Sequence, residues 1–151
     1  MDACPAGQYI ARMEIDREVK QVIVLRHDLK MRYGKGAVQA CHGSNYFFTS
    51  RLESLSFWER LRVAICGWKA AFSKAEVRWI MGGSKKVGVR VESLAELEDI
   101  IGEASALKLP VFPVTDAGLT EFGGEPTLTC CVIGPADSAR IDLVTKALKL
   151  L

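Results

Sequence analysis

Three polar side chains are spaced so that a single helix would present them together. Lys35, Gln39 and His42 lie at i, i+4 and i+7 of a segment predicted to be helical, and such positions share one face. An imidazole titrates near neutral pH, so His42 is a candidate general base or hydrogen-bond donor. The alternative is a solvated polar stripe with a simply exposed histidine. Cys41 and His42 do not form a nucleophile pair, because adjacent helical residues point about 100° apart.

A second candidate group follows a short apolar segment. Asp116 comes directly after the predicted strand Val111–Thr115 and opens a loop that contains Thr120. Sites in α/β proteins collect in loops after the carboxyl ends of strands. Asp116 is therefore a candidate for orienting water or fixing an imidazole, and Thr120 and Thr129 are candidates for positioning substrate or solvent. The alternative is an ordinary turn, in which Asp and Gly are common.

Basic residues dominate the stretch from Lys20 to Lys35, which holds five basic residues and one acid and so carries a net charge of +4. The stretch is predicted to join a strand to a helix, where free backbone N–H groups and the helix dipole favour anions. A phosphate-rich partner is the functional interpretation, with Lys30 and Arg32 as candidate contacts. A solvated basic turn is the alternative. The G-x-x-x-x-G-K-S/T pattern of a Walker loop is absent.

The bulk properties narrow the class of protein. With 151 residues, we expect one compact domain over residues 18–151 and an accessory extension over residues 1–17. The formal net charge is only +2, which gives no global signature of polyanion binding. The five cysteines form no C-x-x-C pair and no metal-ligand spacing with the two histidines, so no metal or cofactor is expected. Their odd number favours a reducing cytoplasm, and no apolar run near the start suits a signal peptide or membrane span.

The predicted elements alternate between strands and helices. They are a strand at 20–25, a helix from about Gly36 to Leu55, a further helical segment at 57–80, a strand at 86–91, a helix at 94–107, strands at 111–115 and 128–133, a turn at Gly134–Pro135, and a helix at 136–147. This order predicts an α/β three-layer sandwich, with a mixed four-stranded sheet and helices on both faces. The pairing of the third and fourth strands stays open, because the loop between them is long enough to cross over.

Several motifs in order carry a resemblance to a known family. They are Val24–Met31, Gly34–Lys35, Gln39 with His42, Gly83–Val87, Thr115–Glu121, Thr127–Cys130, Ile133–Pro135, Ile141–Lys146 and Leu148–Leu150. On these residues the chain resembles the archaeal and eukaryotic class of peptidyl-tRNA hydrolases, which differs in fold from the common bacterial class. The motifs cover residues 20–50 and 82–151, and together they are far more specific than any one of them.

The resemblance implies a cytoplasmic, metal-independent hydrolase that cuts the ester between a peptide and the 3′ ribose of tRNA and so recycles tRNA for translation. It also implies a homodimer. The implied catalytic residues are Lys35, His42, Asp116 and Thr120, and the implied substrate-binding or tRNA-binding residues are Lys30, Arg32, Gln39, Lys86 and Thr129. Ester hydrolysis needs a positioned water and a stabilised oxyanion. Asp116 and His42 would handle the water and its proton, and Lys35 or Lys86 would stabilise negative charge.

The sequence departs from the family pattern at four places. Arg32–Tyr33 replaces a glycine–lysine pair, Ser84 replaces a glutamine, the loop Phe122–Pro126 lacks paired prolines, and a helical insertion with three tryptophans enlarges the region at about 50–81. Two further functions therefore stay open. One is a catalytically weak family member that serves as an RNA-binding or protein-interaction module. The other is a hydrolase of a different acyl-nucleic acid ester, such as a misacylated aminoacyl-tRNA.

Overall fold

The most apolar run near the start of the chain forms the central strand. The computed structural model describes residues 18–151, so the expected extension over residues 1–17 lies outside the described residues. Strand β1 spans Val19–Arg26, and its residues 21–25 are all buried. This burial confirms the prediction of a strand covered on both faces, which is why its side chains do not alternate between apolar and polar.

The sheet contains one strand more than the sequence predicts. The other strands are β2 (Lys86–Val91), β3 (Val111–Asp116), β4 (Thr127–Asp137) and β5 (Lys149–Leu150). Their order is β3-β4-β1-β2-β5, with β1 parallel to β2 and all other pairs antiparallel. The prediction of four strands is wrong because β5 has only two residues, too few to show any alternation. The open question about β3 and β4 is answered, since they are antiparallel neighbours.

The predicted turn at Gly134–Pro135 lies inside β4. The strand continues through this cis peptide bond to Asp137, and its pairing with β1 is shifted between Lys20 and Val22. Gly134 has a φ of +95°, and a Cβ there would lie 2.7 Å from the carbonyl oxygen of Lys20. The turn-forming residues therefore mark an irregularity in a strand, and the last helix begins at Ser138, two residues later than predicted.

Helices cover both faces of the sheet, as predicted. They are α1 (Tyr33–Glu53), α2 (Phe57–Cys66), α3 (Lys74–Met81), α4 (Leu94–Ala106) and α5 (Ser138–Thr145). Successive strand residues point to opposite faces. Val22 and Val24 belong to one apolar cluster with α4 and α5, whereas Ile23 and Leu25 belong to a second cluster with Ala40 of α1.

The region predicted as an insertion contains short helices of very different burial. α2 has no buried residue, and a 3-10 helix at Trp68–Ala71 follows it. α3 contacts β1 and β4, and it buries Trp79 almost completely, at 2% exposure. Its Glu76 is also buried, where it binds Arg51 of α1 at 2.6 Å. Among residues 18–151, no helix combines the length and hydropathy needed to cross a bilayer.

Candidate functional site

The polar residues of the candidate site meet at one end of the sheet. Asp116 is the last residue of β3, and Thr129 lies near the start of the antiparallel strand β4. β1 also ends here, since Leu25 pairs with Cys130. The first turns of α1 cross this end and bring Lys35 and Gln39 over it. The site is therefore built by three elements that are distant in sequence.

Lys35 and Asp116 form the centre of the cluster. The Lys35 ammonium donates to Oδ2 of Asp116 and, at 3.1 Å, to the hydroxyl oxygen of Thr120. The side chains of Lys35 and Asp116 are only 15% and 14% exposed. The hydrogen bond from Lys35 is the main cause that lowers the pKa of Asp116 below its ordinary value, and the backbone N–H of Gly118 adds to it. The carboxylate is therefore ionised well below neutral pH.

The loop after β3 holds the second carboxylate oxygen. The backbone N–H of Gly118 donates to Oδ1 of Asp116 at 2.8 Å, which is an Asx turn. Gly118 has a φ of +80°, and a Cβ there would lie 2.4 Å from the carbonyl oxygen of Glu125. Only glycine fits this position. The spacing Asp-x-Gly is a detectable signal for Gly118, but the same spacing is typical of an ordinary turn, so Gly118 was not predicted as a site residue.

Gln39 links Asp116 to Thr129. It is 2% exposed, and its Nε2 donates to Oδ2 of Asp116 at 2.6 Å. Its Oε1 accepts from the hydroxyl of the buried Thr129 at 3.1 Å. The amide orientation follows from the charge: an ionised carboxylate only accepts hydrogen bonds, so the NH₂ group must face it. The predicted face of α1 is thus confirmed for Lys35 and Gln39.

His42 does not join the cluster. It is exposed, and it has no hydrogen bond or ion pair within residues 18–151. The face of α1 turned toward Asp116 lies on the Gln39 side, and the buried residues of the next turn are Gly43 and Ser44. At about 100° per residue, His42 is rotated by about 60° from Gln39 toward solvent. Sharing a helical face with Lys35 was therefore not enough to bring His42 to the carboxylate.

Lys86 lies at the other end of the sheet. It is the first residue of β2 and pairs in register with Gln21, whereas the site lies beyond Arg26. The five-residue step along β1 from Gln21 to Arg26 spans roughly 16 Å, so Lys86 is at least that far from the site along the strand. The Lys86 ammonium is 4.7 Å from the centre of the Trp79 ring and donates to the carbonyl of Ser84. Lys86 is therefore too far from Asp116 to stabilise negative charge there, the role that the resemblance implied for Lys35 or Lys86, because β2 begins at the opposite end of the sheet.

Lys30 and Arg32 border the site on the loop between β1 and α1. Lys30 is exposed and has a φ of +48°, in the left-handed region. Nε of Arg32 donates to Oε1 of Glu121 at 2.5 Å, across to the loop that follows Asp116. Phe122 in the same loop lies 5.7 Å from the Lys35 ammonium. Glu121 and Phe122 were not predicted as site residues, and only their position in the loop brings them here.

The arrangement combines a charged donor, a charged acceptor and the hydroxyl group of Thr120. Within the described residues, the Lys35 ammonium uses two of its three N–H donors, so the third can bind a developing oxyanion. The Thr120 oxygen accepts from Lys35, which leaves its own hydrogen to donate. Among the described residues, no group of three His, Cys, Asp or Glu side chains is arranged to hold a metal ion. This geometry can orient a polarised carbonyl and a water molecule together.

Known proteins are similar in sequence to this chain over nearly all the described residues. Residues 19–151 match the model of the family described as peptidyl-tRNA hydrolase PTH2. A peptidyl-tRNA hydrolase of Methanothermobacter thermautotrophicus is 39% identical over 133 residues, which cover 88% of this chain and all of that protein. Those of Thermococcus onnurineus and Aeropyrum pernix are 38% and 41% identical, and each match covers 87% of this chain and 97% and 94% of the relative.

Proposed function

We propose that this chain, which belongs to the PTH2 family of peptidyl-tRNA hydrolases, hydrolyses the ester between a peptide and the 3′ ribose of tRNA. The observation that carries the proposal is the half-buried pair of Lys35 and Asp116, held by Gln39, Thr120 and Thr129 from three separate elements. A charged pair this enclosed is costly to bury unless every partner is satisfied. Both carboxylate oxygens of Asp116 accept hydrogen bonds, from Lys35, Gln39 and the backbone N–H of Gly118, and this set of bonds supports a built catalytic centre.

Lys35 is the proposed stabiliser of the oxyanion. Attack of water on the ester carbonyl places negative charge on the carbonyl oxygen, and a preoriented ammonium in a partly dry site stabilises that charge strongly. The hydrogen bonds of the Lys35 ammonium to Asp116 and Thr120 fix the direction of its remaining N–H. Thr120 can then donate its hydroxyl hydrogen to the same substrate oxygen or to the attacking water.

Asp116 is proposed to orient the water and hold Lys35 in place. Because Lys35 lowers the pKa of its carboxyl group, Asp116 binds a proton weakly at neutral pH. An efficient general base has a pKa near the working pH. Asp116 therefore acts first by accepting a hydrogen bond from the water, and it becomes a stronger base as the developing oxyanion takes up part of the positive charge of Lys35. His42 remains a proposed proton carrier. For this role, bound substrate would have to bring His42 into contact with the site.

Lys30, Arg32 and Lys86 are the proposed contacts for tRNA phosphates. All three are exposed, as electrostatic contacts with a polyanion require. Lys30 and Arg32 lie beside the site, and Arg32 can exchange its surface ion pair with Glu121 for a phosphate at little cost. Lys86 lies at the far end of the sheet and would contact a different part of the tRNA. Gln39 and Thr129 are buried, so their proposed role is to position Asp116.

The decisive experiment is release of the acyl amino acid from N-acetyl-aminoacyl-tRNA. Wild type should release it, and Asp116→Asn should lower kcat by about 10²- to 10⁴-fold, the usual range for a positioned acid–base group. Asp142→Asn is the matched control, because it also removes an ion-paired carboxylate, the partner of Lys20, on helix α5 away from the site. Equal activity of all three proteins would contradict the proposal.

The same assay distinguishes the proposed activity from the two alternative functions that the sequence left open. A catalytically weak RNA-binding module would bind the tRNA without turnover. The hydrogen bonds around Lys35 and Asp116 do not favour that alternative. A hydrolase of misacylated tRNA would act on the free aminoacyl-tRNA as well as on the N-acetylated form. We expect hydrolysis of the N-acetylated form alone.

We further propose a homodimer that acts in the cytoplasm. The family resemblance supports the homodimer, and the exposed apolar side chains of α2 are consistent with it: Phe57, Trp58 and Ile65 are all largely exposed. Sedimentation equilibrium of the full chain would measure the oligomeric state directly. A monomer at micromolar concentration would contradict it.

A further inference from the structure

Helix α2 carries an apolar face that no other part of the described chain covers. At 100° per residue, its four largest apolar side chains fall within an arc of about 100° on the helix surface. They are Phe57, Trp58, Leu61 and Ile65, and each is between 44% and 75% exposed. Val63, on the opposite side of the helix, is the one residue of α2 that is not exposed. This apolar arc is therefore turned away from the rest of the protein.

The neighbouring chain holds α2 in this position. The capping box of Ser56 and Glu59 fixes its first turn, and α2 packs mainly on the 3-10 helix that follows it. That 3-10 helix is itself anchored, because Ala71 is buried and the ring centres of Trp68 and Phe72 are 5.9 Å apart. A helix of ten residues that buries no side chain gains little stability from the fold. A contiguous exposed apolar surface marks a site of interaction with a protein or a membrane.

Basic side chains flank the apolar arc on both sides. Arg62 lies about 40° beyond one edge of the arc, and Arg60 lies about 60° beyond the other. Each donates to a backbone carbonyl, and neither forms an ion pair among the described residues. From Phe57 to Lys74 the chain holds four basic residues and one acid, a net charge of +3. An apolar arc bordered by arginines is typical of a helix that lies in the surface of an anionic membrane.

We propose that α2 binds the surface of an anionic lipid bilayer. The apolar arc enters the bilayer at the level of the headgroups, and Arg60 and Arg62 lie beside lipid phosphates. Buried apolar area and attraction to anionic lipids both contribute to binding of this kind. The ring of Trp58 suits the boundary between headgroups and acyl chains, where tryptophan is enriched. Cytoplasmic membrane surfaces carry the negative charge that the arginines require.

A second copy of this chain and an RNA are the competing occupants of the arc. A two-fold contact between two copies of α2 would bring the same basic segment against itself, and like charges repel across such a contact. An RNA would pair with the arginines, but its phosphates and riboses would not cover the aliphatic side chains of Leu61 and Ile65. An anionic bilayer satisfies the apolar arc and the arginines together, so the charge and the apolar surface favour lipid.

Binding through α2 leaves the candidate site open. Lys35 lies in the first turn of α1, and α2 follows the last turn of that helix. A helix of 21 residues is about 30 Å long, so α2 begins far from Lys35. Changes in the apolar arc should therefore leave hydrolysis in solution unchanged.

The test measures the partition of the full chain onto lipid vesicles by co-sedimentation. Vesicles of phosphatidylglycerol and phosphatidylcholine should bind wild type, and added salt should weaken this binding. Vesicles of phosphatidylcholine alone should bind it far more weakly. Ile65→Ser should lower the partition coefficient about tenfold or more, the usual effect of losing one buried aliphatic side chain. Arg60→Gln should lower it about fivefold on the anionic vesicles, the effect of one basic residue near such a surface.

Leu143→Ser is the matched control for Ile65→Ser. Leu143 is 73% exposed, close to the 75% of Ile65, but it lies on α5. This variant should keep the wild-type partition coefficient. Both variants should keep the wild-type midpoint of thermal unfolding, because both side chains are largely exposed.

Tryptophan fluorescence provides a second readout of the same contact. Trp58 is 74% exposed, so its emission should shift to shorter wavelength on anionic vesicles, whereas the buried Trp79 should not respond. Trp58→Phe should keep most of the binding and lose most of this shift. An unchanged shift in Trp58→Phe would contradict insertion of the arc.

Three results would overturn the proposal. The first is an absence of binding to anionic vesicles, or equal binding of wild type and Ile65→Ser. The second is a dimer that Ile65→Ser dissociates in sedimentation equilibrium without any vesicle binding, which would assign the arc to a second copy. The third is weaker tRNA binding by Ile65→Ser without any vesicle binding, which would assign it to RNA. None of these measurements depends on hydrolysis, so failure of the proposed function would not change their outcome.

Discussion

The hydroxyl of Thr129 donates to Oε1 of Gln39 at 3.1 Å. This bond fixes the amide group so that its Nε2 donates to Asp116. The Thr129 oxygen is also 3.1 Å from the carbonyl of Val114, but a hydroxyl has a single hydrogen to donate. Because Asp116 is ionised, the NH₂ of Gln39 must face it and Oε1 must face Thr129. Thr129 is thus a positioning residue that acts through Gln39.

Replacing Thr129 by valine keeps the shape of the side chain and removes the donor. We expect Thr129→Val to lower kcat about tenfold and to change KM little, because Gln39 can then rotate away from Asp116. The pH dependence of kcat should also shift, since Gln39 helps to lower the pKa of Asp116. Thr127→Val is the control, because Thr127 begins the same strand and, among the described residues, its hydroxyl binds the carbonyl of Glu125 alone. An equal loss in both variants would contradict the positioning role.

The pH dependence of stability should report on the ionised Asp116. Its pKa is lowered in the folded protein, chiefly by Lys35, from an ordinary value of 3.8. The ionised group therefore stabilises the fold above that ordinary pKa, and this contribution is lost as the pH falls through the lower folded value. We expect the difference in unfolding free energy between wild type and Asp116→Asn to be constant above about pH 5 and to shrink at more acid pH. Urea denaturation between pH 2 and 7 measures it, and a difference that grows toward acid pH would contradict the assignment.

Gly43 controls how closely α1 approaches the sheet beneath the site. A Cβ at this position would lie 2.5 Å from a methyl carbon of Val132 and 3.0 Å from one of Val114. We expect Gly43→Ala to lower the unfolding free energy by about 1–3 kcal/mol, as overpacking does, and to reduce activity by displacing Gln39.

Gly34→Ala is the matched control in the same helix, because a Cβ there meets nothing within 4 Å. It should leave stability unchanged or raise it by at most about 1 kcal/mol, through helix propensity. Thermal unfolding monitored by circular dichroism distinguishes the two variants. A stable, fully active Gly43→Ala protein would show that the helix can move away from β4 without cost to the site.

Two capping boxes of the same chemistry differ in what their helices contact. In α3 the carboxylate of Glu76 accepts from the backbone N–H of Ser73 and also binds Arg51, and it is buried. Glu76→Ala should therefore lower the unfolding free energy by about 1–3 kcal/mol, because it removes the hydrogen bonds of a buried carboxylate to Ser73 and Arg51. Glu59 forms the equivalent box with Ser56 in α2 but is fully exposed. Glu59→Ala should not change the denaturation midpoint measurably, and a matching loss would mean that α2 is coupled to the core.

Local patterns in the sequence were sufficient for most of the elements. The β-branched run of β1 and the periodic apolar residues of α4 each predicted an element within two residues of its observed ends. The pattern was insufficient where an element is very short, as in β5, or where residues typical of turns lie within a strand, as in β4. In both cases pairing with a strand that is distant in sequence decides the structure, and local propensity cannot predict that pairing.

The sequence by itself determined that Lys35 and Gln39 share a helical face and that Asp116 follows a strand, because both relationships depend only on the period of the element and on chain order. It did not determine which of these groups touch. Lys35 and Asp116 are 81 residues apart, and only the crossing of α1 over the ends of β3 and β4 brings them together. The same crossing turns His42 to solvent, while the parallel pairing of β1 and β2 carries Lys86 to the opposite end of the sheet. These contacts depend on how elements pack, and packing is decided by the whole chain at once.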